Sequence, residues 1–148
     1  MITFKNLEII DIPICISLMQ EFYAIDHYPI DTIETRKLLE TFIANKNLGQ
    51  AYLVYNNDKI IVGYVIMTFV FSFEYKGTLA FLDELYIKET LRRQGIGTKT
   101  IDFLKQEAKN SNVKVVYLEV ENHNQNAQKL YIAHDFEFHA RKIMKFVI

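Results

Sequence analysis

Apolar residues recur at helical spacing in two stretches of the N-terminal third of the chain. The first stretch follows Asp11 and Pro13, a capping residue and an early proline that are favoured where helices begin, and the second follows Asp31 or Thr32. Each predicted helix has one apolar face, formed by Ile14, Leu18, Met19, Phe22 and Ile25, and then by Ile33, Leu38, Leu39, Phe42 and Ile43. A short strand over residues 2–5 is predicted ahead of them.

The middle of the chain is rich in β-branched and aromatic residues, which favour strands. Strands are predicted over residues 51–55, 60–73 and 78–87, and Gly63 within the second indicates a bulge or a close backbone approach. A helix over 98–108, a strand over 113–120, a helix over 124–133 and an antiparallel strand pair over 136–139 and 143–147 follow. This order predicts an α/β (α+β) fold, a mixed sheet with helices on both faces.

Length and composition set the broad class of protein. A chain of 148 residues, half of them hydrophobic, fits a single domain over residues 1–148. The net charge of −1 gives no support to nucleic-acid binding, and no apolar run reaches membrane-spanning length. The single cysteine, Cys15, excludes an internal disulfide, and the N-terminus lacks a signal-peptide pattern, so a cytoplasmic protein is expected. The four histidines show no metal-ligand spacing, so no metal is expected.

The sequence around residues 92–97 reads Arg-Arg-Gln-Gly-Ile-Gly and lies between a predicted strand and a predicted helix. Glycines let a ligand approach the main chain, and the first turn of a helix has amide hydrogens without internal partners. Such a turn can hold a phosphate or pyrophosphate, with positive charge added by Arg92, Arg93 and Lys99. The alternative is that Gly95 and Gly97 only shape a tight turn. The spacing matches neither a Walker loop nor a dinucleotide fingerprint.

A second pattern lies about thirty residues downstream. It consists of Leu-Glu-Val at 118–120, then Asn124, Ala127, Leu-Tyr at 130–131 and Phe136. With both patterns in this order, the chain resembles the GNAT family of acyl-CoA-dependent N-acetyltransferases. The segment 71–87 looks like the branch that acetylates small amines and diamines. The resemblance implies a mostly antiparallel sheet in which one parallel strand pair splays apart, with acetyl-CoA as cosubstrate in the gap.

The resemblance also implies roles for individual residues in holding coenzyme A. Backbone groups of one strand would bond to the pantetheine arm, the turn would hold the pyrophosphate, and Asn124 would contact the arm or the nucleotide. The strand residues are Leu85, Tyr86 and Ile87, and those of the turn are Arg92, Arg93, Gln94, Gly95, Ile96, Gly97 and Thr98. For Asn124 the alternative is a helix cap, and both roles can coexist.

Three side chains are candidates for proton transfer. Tyr131 is the candidate general acid for the leaving thiolate, against the alternative of a core aromatic residue. Asp83 and Glu84 are candidate bases for the attacking amine, against the alternative of two solvated acids at a strand end. Because neighbouring strand residues face opposite ways, only one of the two acids is expected to point into the cleft.

The chain departs from the usual family pattern at Glu89, Arg93 and Asp135, where the family often has Pro, Gly and Gly. Asp135 stands where a helix is expected to end in a left-handed residue, which Asp tolerates better than most. The expected acceptor is a primary amine on a small cationic molecule. The alternatives are a protein or peptide N-acetyltransferase and a non-catalytic acyl-CoA-binding sensor module. A homodimer through the β-rich C-terminus also stays open.

Overall fold

The computed structural model describes residues 1–148 and shows five strands and four helices. Two single 3-10 turns, Ile9–Asp11 and Glu89–Leu91, precede the first helix and the third. The elements in chain order are β1 Thr3–Asn6, α1 Ile12–Ile25, α2 Thr32–Ala44, β2 Gly49–Tyr55, β3 Ile61–Ser72, β4 Gly77–Ile87, α3 Ile96–Asn110, β5 Val115–Leu118 and α4 Gln125–Ala133. No helix of the protein combines the length and apolarity needed to cross a membrane.

The strands form one sheet in the order β1-β2-β3-β4-β5. The first three pairings are antiparallel, and β4 and β5 pair in parallel. The parallel pairing covers only four residue pairs, from Leu79 opposite Val115 to Leu82 opposite Leu118. Beyond Leu82, β4 continues to Ile87 without a partner on that side. The mixed sheet and its diverging parallel pair confirm the predicted fold class.

Each face of the sheet carries its own hydrophobic core. On one face, α1 and α2 cover buried residues such as Leu18, Leu39 and Tyr64. On the other face, α3 packs Ile101 and Leu104 against the sheet, and α4 adds partly buried residues at its edge. The helices therefore cover both faces of the sheet.

A β-bulge interrupts β4 at the acidic pair. Ile66 lies opposite Glu84 and Met67 lies opposite Leu82, so Asp83 is an extra residue with no partner on β3. Bulges break the alternation of side chains and bend the strand. Leu82 and Leu85 pack on the α3 face, whereas Glu84 contacts residues of the α1 face. The rule that consecutive strand residues face opposite ways therefore does not hold across this pair.

The prediction of an antiparallel strand pair at the C-terminus is wrong. Residues 136–148 form neither strand nor helix. Side chains rather than a backbone ladder hold the first part of this segment, since His139 contacts the Tyr117 hydroxyl at 3.2 Å and Arg141 forms an ion pair with Glu74 at 2.6 Å. Large apolar side chains beyond Arg141 are exposed. The apolar alternation allows a strand, but a strand also needs a partner edge, which this segment does not engage.

Gly63 matches its prediction of a close backbone approach. A Cβ atom placed there would lie 2.1 Å from the Tyr86 carbonyl oxygen of the neighbouring strand. The chain therefore needs glycine at this position so that β3 and β4 can pair next to the site.

Candidate active site

The turn between β4 and α3 exposes a row of backbone donors. Gly95 caps α3 with a φ of 75°, and Arg93 also has a positive φ of 63°. None of the six amide groups from Arg93 to Thr98 donates a backbone hydrogen bond within the protein. Consecutive free amides at a helix N-terminus form an anion-binding concavity. The residues present therefore fit a pyrophosphate, and the turn is the part of the chain that would hold that of coenzyme A.

The arginines of this turn differ in their surroundings. Arg92 donates from Nε to the Ile87 carbonyl at 3.0 Å, and its guanidinium lies 5.6 Å from the centroid of the Tyr86 ring. Arg92 thus fastens the turn to the end of β4. Arg93 and Lys99 are exposed and bring positive charge to the same turn. Ile96 is buried, so only its backbone amide can serve a ligand.

The last residues of β4 form an open strand edge beside this turn. Leu85, Tyr86 and Ile87 pair with β3 on one side and have no strand on the other. The Tyr86 side chain is held on the α1 face, where its hydroxyl donates to Glu21 at 2.9 Å. The free edge can bond to the amides of an extended ligand arm, as a further strand would.

Glu84 lies beneath this edge on the α1 face. The Tyr23 hydroxyl donates to one of its carboxylate oxygens at 2.5 Å, and the Tyr64 hydroxyl donates to the other at 2.7 Å. Burial raises the pKa of Glu84 above its ordinary value, and the two tyrosine hydrogen bonds oppose that shift. A carboxylate with a raised pKa is suited to accept a proton.

Asp83 is exposed in its bulge next to Glu84. Loss of solvent around the carboxyl raises its pKa, and the negative charge of Glu119 adds to the shift. Glu119 follows β5 directly, so this charge effect places acids from both splayed strands near one another. The end of the gap that faces away from the turn is therefore acidic.

Tyr131 lies on α4 and packs on the α3 face of the sheet. Its ring centre is 5.7 Å from that of Phe136, and its side chain borders a groove of about 820 Å³ between β5 and the C-terminal segment. Burial raises the pKa of Tyr131 to about 12. The phenol therefore keeps its proton at neutral pH, as a general acid must.

Asn124 caps α4, since its side-chain oxygen accepts from the Ala127 amide at 3.1 Å. Asn124 therefore has the alternative role of a helix cap, and its side-chain amide nitrogen stays free for a ligand. Two further contacts cross from the loop before α4 to the loop after α1. The Tyr28 hydroxyl donates to Glu121 at 2.7 Å, and His123 lies 3.0 Å from Asp26. These contacts tie the two loops together at the acidic end of the gap.

The predicted site residues lie on different sides of the sheet. Glu84 is on the α1 face and Tyr131 is on the α3 face, and no hydrogen bond joins them. The turn 92–98 closes one end of the gap. No group of three or more His, Cys, Asp or Glu side chains is placed to hold a metal ion.

Tyr23 and Tyr64 are not among the residues that the sequence predicts for the site. Two signals point toward them in retrospect. A glutamate in an apolar strand needs hydrogen-bond donors, and a tyrosine packed into a core needs a partner for its hydroxyl. Neither signal says which glutamate meets which tyrosine, because 61 residues separate Tyr23 from Glu84.

Comparison with known proteins adds to this geometry. A profile of the acetyltransferase (GNAT) family matches residues 16–136. No curated protein sequence matches significantly.

Solved structures with low sequence identity share the fold. An integron cassette protein from the mobile metagenome of Cole Harbour Salt Marsh superposes with a TM-score of 0.88 at 23% identity, over 98% of this chain and 90% of that chain. A predicted acetyltransferase from Clostridium acetobutylicum, solved with acetyl-CoA, gives 0.82 at 18% identity over 99% and 96%. An aminoglycoside acetyltransferase from an uncultured soil metagenomic sample, in complex with sisomicin, gives 0.77 at 20% identity over 99% and 95%. With the family profile covering most of its length, the chain belongs to the GNAT acetyltransferase family.

Proposed function

We propose that the protein transfers the acetyl group of acetyl-CoA to a primary amine of a small cationic molecule, by direct attack in a ternary complex. The observation that carries this proposal is the gap between β4 and β5. Free amide donors lie at one end of the gap, the partly buried Glu84 carboxylate lies on the α1 face of the sheet, and the protonated phenol of Tyr131 packs on the α3 face. Family membership and a related structure with acetyl-CoA support the acyl donor.

The reaction needs a neutral amine, whose nitrogen forms a bond to the carbonyl carbon of the thioester. Amide hydrogens on the free edge of β4 near Leu85 are suited to stabilise the negative charge that develops on the carbonyl oxygen. The carbon–sulfur bond then breaks, and the thiolate takes the proton of Tyr131. The proton of the amine goes to Glu84 or Asp83, directly or through water. Asn124 and the turn 92–98 hold the coenzyme in place.

The acidic end of the gap supports a cationic acceptor. Asp83 and Glu84 come from β4, Glu119 and Glu121 follow β5, and Asp26 ends α1. Such a cluster attracts ammonium groups and raises their local concentration. An aminoglycoside acetyltransferase complexed with sisomicin has the same fold, and aminoglycosides carry several amines. Polyamines, diamines and aminoglycosides are therefore the first acceptors to test.

The test measures thiol release from acetyl-CoA with a panel of polyamines, aminoglycosides and peptides that have free N-termini. Wild type is compared with Tyr131→Phe and with Tyr55→Phe, a control tyrosine on β2, a strand that does not pair with β4 or β5. Calorimetry measures the binding of acetyl-CoA to each variant. We expect turnover on a small amine, reduced by about 100-fold or more in Tyr131→Phe and unchanged in Tyr55→Phe. Binding of acetyl-CoA should stay the same in all three.

Each alternative gives a different result. Turnover on peptides but not on free amines supports a protein N-acetyltransferase. Binding of acetyl-CoA without turnover on any acceptor supports the sensor module. Failure to bind acetyl-CoA at high micromolar concentration overturns the proposal altogether.

A further inference from the structure

Both oxygens of the Glu84 carboxylate are engaged by tyrosine hydroxyls, and the side chain is only partly exposed. One oxygen accepts from Tyr23 at 2.5 Å and the other accepts from Tyr64 at 2.7 Å. An amine proton can reach this carboxylate at a remaining lone pair, by displacing a hydroxyl, or by passing through one. A route through a hydroxyl keeps both hydrogen bonds, whereas displacement leaves a buried polar group without its partner.

The two hydroxyls differ in their access to the gap. Tyr64 is 1% exposed, beneath the sheet in the core covered by α1 and α2. Tyr23 is only half-buried and projects from α1 near its C-terminal end. Its hydroxyl bonds to Glu84, which follows Asp83 in the bulge of β4, so the side chain lies beside the acidic pair. Tyr23 is therefore the hydroxyl that a bound amine can reach.

We propose that the Tyr23 hydroxyl relays the proton of the attacking amine to Glu84. The inference rests on the acetyl transfer proposed above and names the route that it leaves open. In the relay, the amine N–H bond breaks and its proton binds the Tyr23 oxygen, while the Tyr23 proton passes to the Glu84 oxygen 2.5 Å away. Tyr23 ends the step neutral and unchanged, Glu84 ends it protonated, and the electron pair of the N–H bond stays on the nitrogen.

The groups around Glu84 do not take the proton onward, so Glu84 is the final proton acceptor of the relay. Tyr23 and Cys15 face it from α1, Tyr64 from β3 and Asp83 from its own strand. Burial raises the pKa of the Cys15 thiol to about 12, and that of Tyr64 rises for the same reason, so both stay neutral. Asp83 adds negative charge that raises the pKa of Glu84 further. Tyr64 is in this scheme a positioning residue that fixes the second oxygen.

The test compares Tyr23→Phe with Tyr64→Phe, a matched pair in which each variant removes one hydroxyl from the same carboxylate. Initial rates are measured from pH 5 to pH 10 with saturating acetyl-CoA and the best acceptor, and melting temperatures verify folding. Both variants should move the acid limb of the rate profile to higher pH, because a lost donor raises the pKa of Glu84. The plateau of kcat should fall by about 100-fold in Tyr23→Phe and by less than about tenfold in Tyr64→Phe.

Three other outcomes would contradict the relay, and each points to a different role for the tyrosines or for Glu84. Equal plateau losses mean that both tyrosines only hold Glu84, and an unchanged or higher plateau in Tyr23→Phe means that the amine reaches the carboxylate directly. An acid limb that moves in neither variant means that Glu84 is not the base. In each of these cases wild-type turnover keeps the acetyltransferase proposal intact, whereas wild type without turnover overturns both. If Tyr64→Phe fails to fold, Cys15→Ser replaces it as the control that alters the buried side of the cluster.

Discussion

At the scale of single residues, six residues other than glycine occupy left-handed backbone positions, and two of them border helices of the candidate site. Arg93 has a φ of 63° in the turn before α3, and Asp135 has a φ of 66° after α4. The left-handed conformation after α4 confirms the prediction made for Asp135. The cost for residues with a Cβ is about 1–2 kcal/mol, and it is lower for Asp, which can hydrogen-bond locally. Strain at Arg93 therefore lies in the turn that presents the free amides.

A pair of substitutions at Asp135 measures this strain. Asp135→Gly and Asp135→Ala both remove the exposed ion pair with Lys105, which spans 3.0 Å, so their difference isolates the backbone. We expect the Gly variant to be more stable than the Ala variant by about 1 kcal/mol in urea unfolding. At an ordinary helical position the order is reversed. An Ala variant as stable as the Gly variant would mean that the conformation after α4 is not left-handed in solution.

Glu84 should make stability depend on pH in a particular direction. Burial raises its pKa in the folded state above the value of about 4.3 for an unfolded chain. Between these two values the folded state binds more protons than the unfolded state, so unfolding free energy falls as pH rises. Glu84→Gln removes the titration.

We therefore expect the unfolding free energy of Glu84→Gln, relative to wild type, to increase as pH rises through about 4.3 and then level off. Urea unfolding at a series of pH values measures this difference. A difference that decreases with pH would show that the tyrosine hydrogen bonds outweigh burial and lower the pKa of Glu84.

At the scale of elements, the free amides of the turn before α3 indicate how the protein would recognise coenzyme A. Its amides are free to bind an anion, so the pyrophosphate should supply much of the affinity. We expect coenzyme A at 100 times its Kd to stabilise the protein by about 2.7 kcal/mol, and pantetheine at the same concentration to stabilise it far less. Thermal unfolding with each ligand measures this. The two ligands should give the same shift if the turn makes no contact with the pyrophosphate.

A control variant connects this prediction to the shape of the turn. A Cβ atom at Gly95 would meet no other atom within 4 Å, so Gly95→Ala acts only through the backbone, whose φ is 75°. Strain of about 1 kcal/mol there corresponds to about fivefold weaker binding of coenzyme A when the turn relaxes. Binding of pantetheine should not change in this variant.

Most elements could be predicted from the sequence because their signals are local. Helical periodicity locates α1 and α2, and Asp31 caps α2 by accepting from the Ile33 and Glu34 amides, whereas the Asp11 side chain makes no cap bond to α1. The bulge at Asp83 could not be predicted, because it arises from the register between β3 and β4 rather than from either strand alone. The contacts of Tyr23 and Tyr64 with Glu84 could not be predicted from the sequence either, since each contact joins distant segments. The turn at 92–98 was predictable because its chemistry comes from consecutive residues.

At the scale of the whole molecule, the end of the chain leaves apolar surface exposed. The large apolar residues exposed there are Phe138, Ile143, Met144, Phe146, Val147 and Ile148. They lie beyond β5, whose outer edge pairs with no strand and borders the groove of about 820 Å³. Free edges and apolar tails of this kind associate with other chains. The predicted homodimer stays a prediction, and this end of the molecule is the place to test it.

Removal of residues 142–148 tests the role of this tail. The residues bury little surface against their own chain, so the truncated protein should keep a melting temperature close to that of wild type. If the tail pairs with a second copy, sedimentation should show wild type associating as concentration rises and the truncated protein remaining monomeric. A Met144→Lys, Phe146→Lys variant of full length should match the truncation, because charge opposes burial of the tail. A large loss of thermal stability in a monomeric truncation would instead show that the tail packs on its own sheet, at the free edge of β5.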